Sequence, residues 1–151
     1  MTIWTFASNS NDEKIAVECN GGEFKITSES NAYTGTLSYD LTGSSLDCPC
    51  IHNIWVDPEG AGLGSVLMWC FATSMNSTFL ALTLPAPEAY GWYEKLGFIP
   101  DPAAYYSIGG DFSEQEAKAL AKAFPMVADR SGVEEISFFS CSNKWKLLGV
   151  E

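Results

Sequence analysis

Basic residues are scarce in this chain. Eight Lys and Arg stand against 19 Asp and Glu, leaving a net charge of −11 with histidine neutral. None of the eight falls between Lys25 and Lys95, an interval holding seven carboxylates: Glu29, Asp40, Asp47, Asp57, Glu59, Glu88 and Glu94. Nucleic acid and anionic membrane surfaces need neutralising Lys and Arg, so neither is expected as a partner. The balance suits a cationic partner instead: an amine, a lysine side chain or a basic protein face. Long apolar runs are also lacking. No stretch approaches the roughly 18 residues of a membrane-spanning helix. The first ten residues carry no basic segment and Met1–Ser8 is too short for a signal core, so a cytoplasmic location is expected. Five cysteines (Cys19, Cys48, Cys50, Cys70 and Cys141) match no zinc or redox spacing. Cys48 and Cys50 with His52 make an incomplete ligand set, so reduced thiols and no metal are expected.

What remains is ample for a core. The length fits one domain, 1–151, able to bury about two-thirds of its unfolded surface. With 46% apolar and only 18% charged residues, the composition excludes disorder along the whole chain. The first third reads as strands: Thr2–Phe6, Lys14–Cys19, Glu23–Thr27, Tyr33–Leu41 and Cys50–Asp57, with Asn20-Gly21-Gly22 as a hairpin turn. From Gly62 to about Met75 the chain is apolar nearly all round, which predicts a buried helix. Phe79–Leu84 follows as a short strand. Pro87 then opens a helix that Gly97 stops. Ser113-x-x-Glu116 forms a capping box for a helix ending before Pro125. Val133–Ser140 and Lys144–Val150 read as a closing hairpin. The class is α+β, with a mixed sheet.

The densest chemistry lies at Ile51-His52-Asn53-Ile54-Trp55-Val56-Asp57-Pro58-Glu59-Gly60-Ala61-Gly62-Leu63-Gly64-Ser65, a strand, a glycine turn and a helix start. Such a junction binds anions: glycines admit close approach, and the first N–H groups of the helix are unsatisfied and lie at the positive end of its dipole. The spacing is neither G-x-G-x-x-G nor a P-loop, and a tight strand-to-helix connection needing positive φ explains it as well. With no nearby Lys or Arg in sequence, an anion there would depend on backbone N–H groups and helix ends.

A second stretch, Ala89-x-x-Trp92-Tyr93-Glu94-Lys95-Leu96-Gly97-Phe98, follows the next strand. Together the two resemble the GNAT superfamily of acyl-coenzyme A-dependent N-acetyltransferases: its pyrophosphate loop, then its A-x-x-F-Y-E-K-x-G-F segment. Within it, His52-x-Ile54-x-Val56 and Gly64-Ser65-Val66-Leu67-Met68-Trp69 look most like arylalkylamine N-acetyltransferase. The likeness covers Cys50–Phe98, about a third of the chain.

The resemblance implies a central mixed, mostly antiparallel sheet flanked by helices, and acetyl transfer from acetyl-CoA to a primary amine, either a small amine or a protein lysine. Backbone groups of Ile54, Trp55 and Val56 would meet the acyl and pantetheine part at a splay between parallel strands. Gly60, Ala61, Gly62, Leu63, Gly64 and Ser65 would wrap the pyrophosphate. Tyr93 would protonate the leaving thiolate, and His52 would help strip the amine proton. Histidine titrates in the range this needs, and a phenol can serve a thiolate within hydrogen-bond reach. Each also has a plain structural reading, His52 as a satisfied strand residue and Tyr93 as core.

Three departures stand out. The loop before Gly60 is two residues short, Glu59 sits where the family prefers Arg or Gln, and the N-terminal third shows no helical pair. These keep a second reading open: an acidic, catalytically silent protein of this fold that holds a basic protein partner.

Overall fold

Alternation in the first half of the chain translates directly into strands. In the computed structural model, residues 1–42, 47–83, 85–102, 113, 115–116, 120 and 124–151 are described. β1 (Thr2–Ser8), β2 (Lys14–Asn20), β3 (Glu23–Ser28), β4 (Thr34–Asp40) and β5 (Cys50–Asp57) form an antiparallel run. Asn20 pairs with Glu23, so Gly21-Gly22 is a two-residue turn; both glycines have positive φ, 60° and 91°. That backbone matches the strand twist and is closed to most side chains. Trp4, Phe6, Ile15, Val17, Phe24, Ile26 and Leu37 point to one face, where all are buried.

That face is filled by α1 (Leu63–Ser74), eight of whose twelve residues are buried. Phe71 lies edge-on to Phe24 at 6.0 Å and against Tyr39 at 5.2 Å. The chain continues through β6 (Phe79–Leu82), a short 3-10 turn at Pro87–Ala89, α2 (Tyr90–Lys95) and β7 (Ile99–Pro100). β8 (Met126–Asp129), α3 (Arg130–Cys141) and β9 (Trp145–Val150) complete it. The nine strands make one sheet in the order β7-β8-β6-β5-β4-β3-β2-β1-β9. Among the described strands only β5 and β6 run parallel. The fold is mixed α+β with a mostly antiparallel sheet. Among the described residues no helix precedes Leu63, and none is long and apolar enough to cross a membrane.

The closing hairpin is a correction. Val133–Ser140 lies inside α3, and β9 pairs with β1 at the far edge of the sheet. Val133, Ile136, Phe138 and Phe139 favour strands by propensity, but packing on α1 overrides that preference. Val133, Ser137 and Cys141 recur every four residues and bury one helical face. Ser137 is hidden there because its hydroxyl donates to the Val133 carbonyl at 2.6 Å. Arg130 donates to the Ala72 carbonyl at 3.2 Å and to the Ser77 carbonyl at 3.0 Å, satisfying the exposed end of α1 with a cation. Strands β7 and β8 were not expected from the sequence. Most of the expected helix 113–124 lies outside the described residues, but its box is present: Ser113 Oγ accepts from the Glu116 N–H at 3.1 Å.

β9 also returns to the turn after β5. Lys144 Nζ donates to the Gly60 carbonyl, and Trp145 Nε1 donates to the Ala61 carbonyl at 2.7 Å. In a flat sheet the five steps from β5 to β9 would separate them by about 24 Å. The sheet therefore curls around α1, and the Trp145 contact closes it.

Two outcomes follow for stability. Phe71→Ala should cost about 3–5 kcal/mol in urea unfolding, as for a large buried aromatic; a loss near zero would mean the core is not built around α1. Burial pushes the Cys50 and Cys141 thiols up to about 11, and the Tyr39 and Tyr93 phenols up to about 12. Each group loses its proton more readily in the unfolded chain. Their stabilising effect is complete below about pH 9 and is lost as pH rises through 11 to 12. The urea midpoint at pH 10.5 should fall below that at pH 8, and equal midpoints would contradict this burial.

Candidate functional site

Parallel pairing between β5 and β6 is brief. Cys50 pairs with Ala81 and Ile51 with Leu82, and the Thr83 N–H reaches the Ile51 carbonyl at 3.0 Å. Beyond that, no described strand lies on the β6 side of β5. The stretch expected to meet a ligand, Ile54–Val56, falls in this opening. Ile54 and Val56 are half-buried against the core, while Trp55 alternates to the other face and is 46% exposed.

His52 stands where this edge begins. Ser38 pairs with Asn53 but Tyr39 pairs with Ile51, so His52 is the extra residue of a bulge. Bulges re-aim a side chain, and here the imidazole turns outward to Asp40 at the end of β4. His52 Nε2 lies 2.5 Å from Asp40 Oδ2, both side chains being exposed. A carboxylate only accepts, so Nε2 carries the proton and Nδ1 keeps the lone pair in neutral imidazole. Asp40, in the sequence one of seven carboxylates in the stretch without Lys or Arg, is the residue that sets this tautomer.

The glycine turn has the geometry of an open helix start. Gly60 and Gly62 have φ of 79° and 80°. Gly62 is the N-cap and supplies no side-chain cap, and the first helical bond is Val66 N–H to Gly62 carbonyl at 3.2 Å. The N–H groups of Leu63, Gly64 and Ser65 therefore lack helical acceptors. A trans peptide points its carbonyl and N–H in opposite directions. Because Lys144 and Trp145 hold the Gly60 and Ala61 carbonyls, the Ala61 and Gly62 N–H groups face away from β9. The buried Leu63 side chain anchors the turn. The Ser65 hydroxyl faces inward to Ser140 Oγ at 3.2 Å, so only its N–H remains for a ligand.

Lys144 is the residue that sequence reading missed. The stretch without Lys or Arg is real along the chain, but folding brings a cation from 84 residues away onto Gly60. Glu59 is exposed on the same turn. On the β9 side Lys144, Trp145, Ala61, Tyr33, Asn9 and Asn11 contribute to a cleft of about 360 Å³ that no carboxylate among the described residues lines.

Tyr93 is buried on α2, with Trp92 at 5.0 Å and Phe98 at 5.9 Å between ring centres. Its hydroxyl is pushed up to about 12 by burial and stays protonated across the neutral range. α2 abuts the glycine turn through its other ring: a Cβ on Gly64 would lie 3.3 Å from Trp92. His52 and Tyr93 share no hydrogen bond among the described residues. No protein-family model matches the chain, and no curated protein matches its sequence. All five cysteines are free, and no group of three or more His, Cys, Asp or Glu converges among the described residues.

The closure makes a direct test. Trp145→Phe keeps the ring beside Tyr33, which it meets edge-on at 5.2 Å, but strands the Ala61 carbonyl. It should cost about 1–2 kcal/mol in urea unfolding. A neutral effect would show that the indole bond does not hold the turn.

Proposed function

We propose that the chain is an acetyl-CoA-dependent N-acetyltransferase acting on a primary amine by direct attack. The observation that carries this reading is that β5–β6 pairing stops at Ile51 while β5 runs on to an uncapped glycine turn. It gives an extended ligand two things in order: free strand edge at Ile54–Val56, then N–H groups at Ala61–Ser65 for a pyrophosphate. The amine nitrogen attacks the thioester carbonyl, the C–N bond forms, and the C–S bond breaks. The amine proton passes to His52 Nδ1, directly or through water, with Asp40 holding the imidazolium. The thiolate receives its hydrogen bond from Tyr93.

Magnitudes limit the tyrosine's part. A phenol near 12 donating to a thiolate of ordinary basicity, near 8.5, moves a proton uphill by about 5 kcal/mol. Burial that raises the phenol raises the bound thiol too, narrowing the gap. Tyr93 therefore acts mainly as a hydrogen-bond donor while the C–S bond stretches, with full transfer late. A silent protein of the same fold is the second reading, favoured by exposed Glu59, whose carboxylate would oppose a pyrophosphate on its own turn.

Calorimetry with acetyl-CoA at two salt concentrations separates them. Micromolar binding that is lost in a folded Gly62→Trp control is expected, whereas no heat at millimolar coenzyme would overturn the enzyme reading. Given binding, Tyr93→Phe should lower kcat at least tenfold with little change in coenzyme affinity. An unchanged kcat would remove Tyr93 from the mechanism.

A further inference from the structure

On the outer side of the α1–α3 pair, Trp69, Ser131, Glu134, Glu135 and Phe138 line an open groove of about 370 Å³. The α3 residues recur at the three- and four-residue spacings that put them on one helical face. The rings of Trp69 and Phe138 meet at 5.3 Å with a 50° tilt. Of the ten large apolar side chains left exposed among the described residues, three (Ile136, Phe138 and Phe139) fall on this one helix, Phe139 at 75%. Glu134 is already paired with Arg130 at 2.5 Å. Glu135 is exposed and has no ion pair among the described residues.

We infer that this groove docks a basic amphipathic segment of a partner protein, with a lysine or arginine side chain over the Trp69 and Phe138 rings and against Glu135. Aromatic faces attract a cation, most strongly when a carboxylate fixes it, and the alkyl stem of such a side chain covers the rings. Apolar residues of the same segment would rest on Phe139. Charge decides the occupant. A net charge of −11 draws in a basic segment and repels an anionic membrane. A second copy would bring Glu135 against a chain of the same charge. None of these residues belongs to the glycine turn or carries His52 or Tyr93, so the inference stands apart from the acetyltransfer reading.

The test is a nuclear magnetic resonance titration of isotope-labelled full chain with a synthetic amphipathic Lys/Leu peptide. Shifts confined to the Trp69 indole and to Ser131–Phe139 are expected. Affinity should fall about tenfold with Glu135→Lys, a change at an exposed site that spares the fold, and about tenfold with a Lys/Ser peptide of equal charge. Shifts scattered over the acidic surface would overturn the inference. So would an unchanged affinity in Glu135→Lys, equal binding of the Lys/Ser peptide, or no binding at all. Choline, titrated separately, should produce only weak shifts; if it saturated the groove more tightly than the peptide, a small-molecule cation site would replace the docking surface.

Discussion

A helix apolar on nearly every side cannot be covered by one flat sheet face, and α1 is such a helix. Leu63, Val66, Leu67, Met68, Cys70, Phe71 and Ala72 are all essentially excluded from solvent. Covering them takes two surfaces: a sheet that bends and a second helix laid alongside. The curl of β1–β5 and β9 and the antiparallel placement of α3 both answer that demand. Ser65 meeting Ser140 at one end, and Arg130 meeting the Ala72 carbonyl at the other, fix the direction of the pair. A charged guanidinium at the C-terminal end of α1 also complements the dipole there, while the N-terminal end is left open.

The same wrapping organises the glycine turn. Once the sheet bends far enough for β9 to reach residues 60 and 61, Trp145 at its start and the preceding Lys144 take the carbonyls of the turn. That fixes its peptide planes without using its N–H groups. A turn with positive φ at Gly60 and Gly62 would otherwise have many backbone states of similar energy. The glycines thus serve two demands together: Gly62 leaves space for Lys144, whose Cδ would lie 3.3 Å from a Cβ there, and Gly64 leaves space for Trp92. Packing alone asks for glycine at both positions, which is why glycine spacing could not distinguish a tight connection from a binding turn.

Local pattern made much of the fold legible. The strands through Asp57, the Gly21-Gly22 turn, the buried α1 and the stop at Gly97 depend on neighbours in sequence, and all were readable there. Val133–Ser140 was not, because its helical face exists only against α1 and its serine is hidden by a bond to its own backbone. β8, at Met126–Asp129, is four residues long and is defined by pairing with β6 and β7 rather than by alternation. Of the candidate site, the elements β5, α1 and α2 that carry the expected residues were readable in advance. Asp40 beside His52 and Lys144 beside Gly60 were not, since both depend on register and curl. A bulge at His52 has no marker in sequence at all.

Charge sets the remaining tension. An acidic chain with an uncapped helix start carries charges of both signs at its glycine turn. At physiological salt the Debye length is about 8 Å, so most of the carboxylates act on the turn only weakly. On the turn itself the helix start contributes about half a positive charge and Lys144 a full one, against the carboxylates of Glu59 and of Asp57 at the end of β5. Counted this way the turn is close to neutral even though the chain is strongly negative. An anionic ligand gripped by N–H groups would then be governed by the turn itself, and the surplus of negative charge would be felt elsewhere, on surfaces such as the Glu134–Glu135 side of α3. Screening thus lets a turn near neutrality and a strongly acidic surface coexist on one chain.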